Sequence, residues 1–206
     1  MEATDRLVVG LSSWIIQDGN YSDFARGDDV AFALEFYPPA ELELVNCRAR
    51  RILIHSGGPW YDIVGKVAHV ADKWWAIDIG FVVFRDEAPP KGVKVGCWLK
   101  GKIYIGIDPF FYFESLAHQP DAPALIYDWR VERIEMQTSP YVPHPQDDPR
   151  KMVFVRDPER QGWIEIDKTD AWQDDQGSAD YILHCRRLPG PARHALSVSS
   201  GGSIGY

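Results

Sequence analysis

The sequence holds almost no cysteine and no long apolar run, and each shortage excludes a class of protein. Cys47, Cys97 and Cys185 are odd in number and unclustered, which argues against a disulfide framework and predicts three buried thiols in a reducing compartment. No stretch approaches the roughly 18 apolar residues of a membrane-crossing helix, so no membrane partner is expected. The opening MEATDRLVVGLSS is acidic where a secretory leader is basic, and its apolar run is short. A cytoplasmic location is the expectation. Positive charge is in deficit too: 22 Lys and Arg stand against 30 Asp and Glu, a net charge of −8. Broad, sequence-independent nucleic-acid binding depends on basic side chains displacing counterions, and this balance argues against it. It suits a basic protein partner instead.

Chemical motifs are missing as well. C-x-x-C, H-x-x-x-H and H-x-H do not occur, and the side chains of the adjacent His184 and Cys185 diverge on a strand. Asp147–Asp148 and Asp174–Asp175 lack the alternating oxygen ligands of a calcium loop. No metal and no cofactor is expected. There is no G-x-S-x-G elbow, and the glycine pair of HSGGPW is not followed by the Lys-Ser/Thr of a phosphate loop. His55, Ser56 and Asp62 do not make a triad, because strand neighbours point to opposite faces. Asp18 and Asp78 sit at matching places in two similar segments, but an acid–base pair needs them within about 5–10 Å of each other. Asp18 also precedes Gly19, as in a turn. No catalytic residue is assigned.

What is present is β patterning. Helical periodicity is scarce, while alternation and short apolar runs recur, and eight Trp among 13% aromatics supply core area. Strands are predicted at 7–16, 30–37, 51–55, 63–70, 74–84, 93–107, 124–137, 152–156, 163–167 and 181–187, separated by Gly, Pro and Asp turns. The fold class is therefore mainly β with little helix. Residues 62–137 have the strand count and spacing of the five-strand oligonucleotide/oligosaccharide-binding (OB) barrel and resemble it in architecture. The expected layout is an N-terminal β meander over 1–56, an OB-like barrel over 57–140, a C-terminal β extension over 141–196 that opens on a hairpin at 152–167, and a flexible tail over 197–206. A weak internal repeat aligns WIIQD at 14–18 with WWAID at 74–78, and GDDVAFAL at 27–34 with GVKVGCWL at 92–99. Two related meanders or chance likeness between hairpins would both account for it.

The most informative stretch is KGVKVGCWLKGKIY at 91–104, four lysines with no acid among them. Read as a strand from Val93, it turns Val93, Val95, Cys97, Leu99, Ile103 and Ile105 to one face. Lys94, Trp98, Lys100, Lys102 and Tyr104 go to the other. A bulge at Gly101 would reverse the phase of Lys102 and Tyr104. In the aligned strand, Val30, Phe32, Leu34 and Phe36 face in, and Asp29, Glu35 and Tyr37 face out, acid where the second copy shows lysine. Arg48, Arg50 and Arg51 form another basic spot, as do Arg186 and Arg187; DPFFYF at 108–113 reads as buried or interfacial. The leading expectation is a non-enzymatic binding module that contacts a protein partner or a second copy of itself through Lys94, Trp98, Lys100, Lys102 and Tyr104. Single-stranded nucleic acid or a glycan on that face is the second reading, with bases stacking on the aromatics. A small enzyme with its site in a barrel mouth near Asp18, Asp78 or His55 is the third.

Overall fold

The computed structural model describes residues 5–45, 49–143 and 154–195. The chain is mainly β, 48% strand against 9% helix. It opens with β1 (Arg6–Ser12), whose Leu7, Val9 and Leu11 are buried, and coils into one helical turn, α1 (Ser13–Gln17). A strand to residue 16 was predicted. Ile15 and Ile16 are adjacent and both buried, which a strand covered on one face cannot achieve and a helical turn can. Next come β2 (Asp29–Phe32), β3 (Leu34–Tyr37), β4 (Glu43–Val45), β5 (Ile52–Gly57), β6 (Trp60–Val70), β7 (Trp75–Asp78), β8 (Val82–Arg85) and β9 (Trp98–Ile107). A short helix α2 (Phe111–Glu114) precedes β10 (Tyr127–Gln137), β11 (Tyr141–Pro143), β12 (Phe154–Arg156), β13 (Trp163–Ile166) and β14 (Asp180–Arg187).

A five-strand barrel closes in the order β6-β7-β8-β3-β9 and back to β6. Every pairing in this ring is antiparallel except β3–β8, which is parallel. Taking β6, β7, β8, β9 and β3 as strands one to five reproduces the neighbour order of the OB barrel, with its fifth strand moved to the front of the chain. This corrects one sequence expectation. The stretch 124–137 does not close the barrel; residues 34–37 do, so the segment 57–140 lacks a wall of its own barrel. The predicted strand over 74–84 is likewise two strands, β7 and β8, joined by a tight turn at Gly80, whose φ of 121° favours glycine. Along β6 the buried Tyr61, Ile63 and Val67 alternate with exposed Asp62 and Lys66. Gly65 occupies the one inward position where Ile77 and Ile79 fill the space of a side chain.

β2, β10, β14 and β1 complete a second circuit on the same wall. β2 continues into β3 through Ala33 and pairs β10; β10 pairs β14, β14 pairs β1, and β1 returns to β9 through Gly10 and Gly106. The first and last strands thus lie side by side in one sheet. Phe32 stacks on Trp129 at 5.6 Å inside this circuit, with Phe24 and Phe81 edge-on. One continuous core runs through both circuits. At about 1.5–3 kcal/mol for each large side chain fully buried, these aromatics are a main source of stability.

The repeat and the C-terminal hairpin can also be compared with the structure. The segments aligned as a repeat differ in structure: 14–18 is mostly α1 while 75–78 is β7, and 93–97 is a turn while 29–32 is β2. The hairpin expected over 152–167 is not formed by its described residues, 154–167, where β12 pairs β11 and β13 pairs β10. The tail at 197–206 and Asp147–Asp148 lie outside the described residues.

Candidate functional site

Sequence reasoning placed the working surface on 93–104, and the structure divides that stretch. Residues 93–97 turn, with Gly96 at φ 90°; Val93 is buried, Val95 is exposed and Lys94 projects into solvent. The expected inward side therefore fails for Val95, and Lys94, although exposed as expected, stands in the turn before β9 rather than on its face. From Trp98 onward the alternation holds. Leu99, Ile103, Ile105 and Ile107 are buried, while Lys100 and Lys102 are exposed and Trp98 and Tyr104 half-buried. Gly101 introduces no register shift against β6. It is an inward position occupied from above by Leu42, 2.6 Å from where a Cβ would sit.

The lysines are explained by their neighbours. Lys100 lies directly opposite Glu43 of β4, Nζ to carboxylate 2.9 Å, and Lys102 directly opposite Asp62 of β6 at 3.3 Å. Lys102 also donates to Ser56 Oγ at 2.9 Å. Opposed charges on facing strands are the sheet's form of ion pair. Being exposed, each contributes less than about 1 kcal/mol. The outer wall β4-β9-β6-β5 consequently reads in neutral rows, Ile54–Asp62–Lys102 and Ile52–Val64–Lys100–Glu43. A shallow groove of about 290 Å³ runs between Ile52, Ile54, Val64, Lys100 and Lys102. β5 forms the outer edge of this wall and, among the described residues, pairs only with β6.

Tyr104 belongs to a different arrangement, an aromatic ladder around the barrel. Trp60, Tyr104 and Tyr37 stand on consecutive strands with edge-to-face contacts of 5.3 and 6.2 Å, and the Arg85 guanidinium caps Tyr37 at 4.7 Å. Gly10 makes room for it, since a Cβ there would fall 1.6 Å from the Tyr104 hydroxyl. Burial, aided by the charge of Asp180, pushes the Tyr104 phenol up to about 12. Under the ladder lie two buried carboxyls. Glu35, expected to face solvent, is buried; it accepts from Tyr37 Oη at 2.6 Å and meets Arg85 at 3.6 Å, and burial raises its pKa. Asp108 accepts from the backbone N–H groups of Phe110 and Tyr112, both at 3.1 Å, fixing the turn into α2.

The other outer wall is covered by the chain itself. Trp74, Ala76 and Phe84 on β7, β8 and their approach are buried beneath Tyr112, Leu116 and Leu125, and Trp74 Nε1 donates to Gln119 at 2.9 Å. OB barrels commonly take ligands on the face of their second and third strands, the face closed here.

The third reading's residues are each locally engaged. Asp18 ends α1, Asp78 accepts from Gly80 N and pairs Arg51, and exposed His55 contacts the Gly58 carbonyl at 2.6 Å. Arg186 pairs Glu132, and Arg187 lies over Tyr127. Cys185 is buried as expected and Cys97 only half-buried; Cys47 and Arg48 are outside the described residues. No cluster of three or more His, Cys, Asp or Glu suited to a metal occurs among the described residues. Sequence reasoning missed the ladder partners Trp60, Tyr37 and Arg85 and the β5 edge. The alternation of Trp60, Asp62, Val64 and Lys66 was legible, but the neighbour of each was not.

No protein-family model matches the chain, and comparison with curated proteins and with solved structures gives no match.

Proposed function

We propose that the protein is a non-enzymatic interaction module that associates with a second copy of itself along β5. The observation that carries this reading is an edge strand with an unpaired outer side, among the described residues, beside an exposed apolar row. Such an edge offers a line of backbone donors and acceptors for strand addition. Ile54, 57% exposed, sits at its middle. A two-fold axis through Ile54 sets the two Ile54 side chains opposite each other, Ile52 opposite Ser56 and Arg51 opposite Gly57. No like charges meet in that register. The neutral rows behind β5 support protein contact rather than phosphate binding, because an incoming phosphate would have to displace Glu43 and Asp62 from the lysines.

Sedimentation velocity across a concentration series tests the reading. The wild type should shift from monomer to dimer as concentration rises. Ile54→Arg, which sets two guanidinium groups face to face across the axis, should remain monomeric with an unchanged thermal melt. Wild-type protein that stays monomeric up to about 1 mM, the weak end of specific association, refutes the proposal. Salt-sensitive binding of a single-stranded oligonucleotide that is lost in Lys100→Glu would favour the nucleic-acid reading in its place.

A further inference from the structure

Away from β5 in the chain, α1, β11 and the acidic turn that precedes β14 each carry an exposed aromatic. Residues 170–178 follow β13, and Asp175, Gln176 and Gly177 have φ of 46°, 58° and 82°, three successive left-handed residues. Such a turn is strained for the two that carry side chains and persists only when its surroundings hold it. Here they do. Gln17 Nε2 donates to the carbonyls of Ala171 at 2.6 Å and Gly177 at 2.8 Å, and Ser13 Oγ donates to Gly177 at 2.9 Å. Tyr141 Oη and Arg156 both donate to the Ser178 carbonyl. Trp14 stands three residues before Gln17 in α1, and Gln17 bonds the carbonyl of Ala171, the chain neighbour of Trp172. Trp14 is 49%, Trp172 65% and Tyr141 43% exposed. Solvent-facing aromatics on three elements tied together by these hydrogen bonds are the kind of surface feature that marks a contact.

Acidic side chains outnumber basic ones around them. Asp18, Asp23, Asp170 and Asp174 carry no salt bridge among the described residues; they accept from backbone N–H, hydroxyl or amide groups instead. Where the chain does supply a cation, it shows how one is held. The Arg156 guanidinium lies 4.0 Å over the Tyr141 ring, pairs Asp175 at 2.5 Å and reaches Asp180 at 3.8 Å. The same two ingredients, an aromatic face and carboxylates without a salt bridge, recur on α1 and the 170–178 turn, where among the described residues no chain cation lies over Trp14 or Trp172.

We infer that this surface docks an arginine-bearing segment of a basic partner protein, with guanidinium groups over Trp14 and Trp172 and the Asp170–Asp174 carboxylates neutralising them. Trp is the strongest aromatic partner for a cation, and Arg its commonest mate. The docking site is separate from β5 and does not depend on self-association.

The test is titration of a labelled arginine–glycine repeat peptide, followed by anisotropy at low and moderate salt. Wild-type protein should bind it with an affinity that falls with salt. Trp14→Ala/Trp172→Ala, which leaves net charge untouched, should bind about five- to thirty-fold more weakly, the loss of two exposed cation–π contacts. Both tryptophans are solvent-facing, and an unchanged melting temperature of the double variant shows that its fold is kept. Trp14→Phe/Trp172→Phe should recover part of the affinity. Equal binding by wild type and the alanine variant would mean that the peptide answers only to overall negative charge, and would overturn the inference. So would an oligoglutamate peptide binding as well as the arginine peptide.

Discussion

Replacing Asp108 by Asn removes a proton-binding site from the junction of β9 and α2, and it should flatten the dependence of stability on pH. The Asp108 carboxyl is buried and pushed up from 3.8 to about 7. Burial is the largest cause and outweighs the Phe110 and Tyr112 N–H groups, which favour the carboxylate; the nearby Glu35 adds to the rise. A group with a higher pKa in the fold than in the unfolded chain stabilises fully below the unfolded value. That contribution is lost as pH climbs through the folded value. Here the window runs from 3.8 to about 7. About three pH units at 1.36 kcal/mol each make about 4 kcal/mol, of which about 3 kcal/mol falls between pH 5 and 8. Asn retains one acceptor oxygen but turns an amide N–H toward the second backbone N–H, losing a hydrogen bond at about 1 kcal/mol. His69, held low mainly by burial, tilts the curve the other way. It is common to both proteins and cancels in their difference. Urea unfolding at pH 5, 6, 7 and 8 should show the wild type losing stability across the series and Asp108→Asn losing much less. The difference between them should move by about 3 kcal/mol in the variant's favour from pH 5 to pH 8. Parallel curves would refute the reasoning, because they would mean that the carboxyl titrates alike folded and unfolded.

Two further outcomes follow from close packing and from the paired charges. Gly10→Ala drives a methyl group into the Tyr104 ring and should cost about 1–3 kcal/mol as overpacking, with a changed near-ultraviolet circular dichroism from the Trp60–Tyr104–Tyr37 ladder. Combined with Tyr104→Ala its cost should be less than additive, and full additivity would show that the two positions do not compete for space. Lys102→Glu sets two acids opposite each other across β6 and β9 and should lower stability by up to about 1 kcal/mol. Asp62→Lys/Lys102→Glu should restore it, and a swap that restores nothing would deny the cross-strand pairing its role.

The legible part of this protein was local. From Trp98 to Ile105 the alternation turned Leu99, Ile103 and Ile105 inward, where they are buried, because side-chain direction along a strand depends only on the backbone's period of two. It misled over 93–97, where the same alternation of apolar and polar residues belongs to a turn, and over 14–16, where a helical turn buries the adjacent Ile15 and Ile16 and leaves Trp14 exposed. The aromatic ladder was illegible for a related reason: Tyr37, Trp60, Arg85 and Tyr104 come from four strands far apart in the chain.

By itself the sequence determined that the chain is mainly β, where most of its strands lie, and which side of β9 is apolar. These follow from short-range sterics and burial. Only the tertiary structure decided which strands are neighbours: that residues 34–37 close the barrel, that β1 lies beside β14, that Lys100 meets Glu43 and Lys102 meets Asp62. Strand pairing joins residues through a backbone ladder that is the same for every side chain, so a strand's own pattern names a face without naming the partner across it.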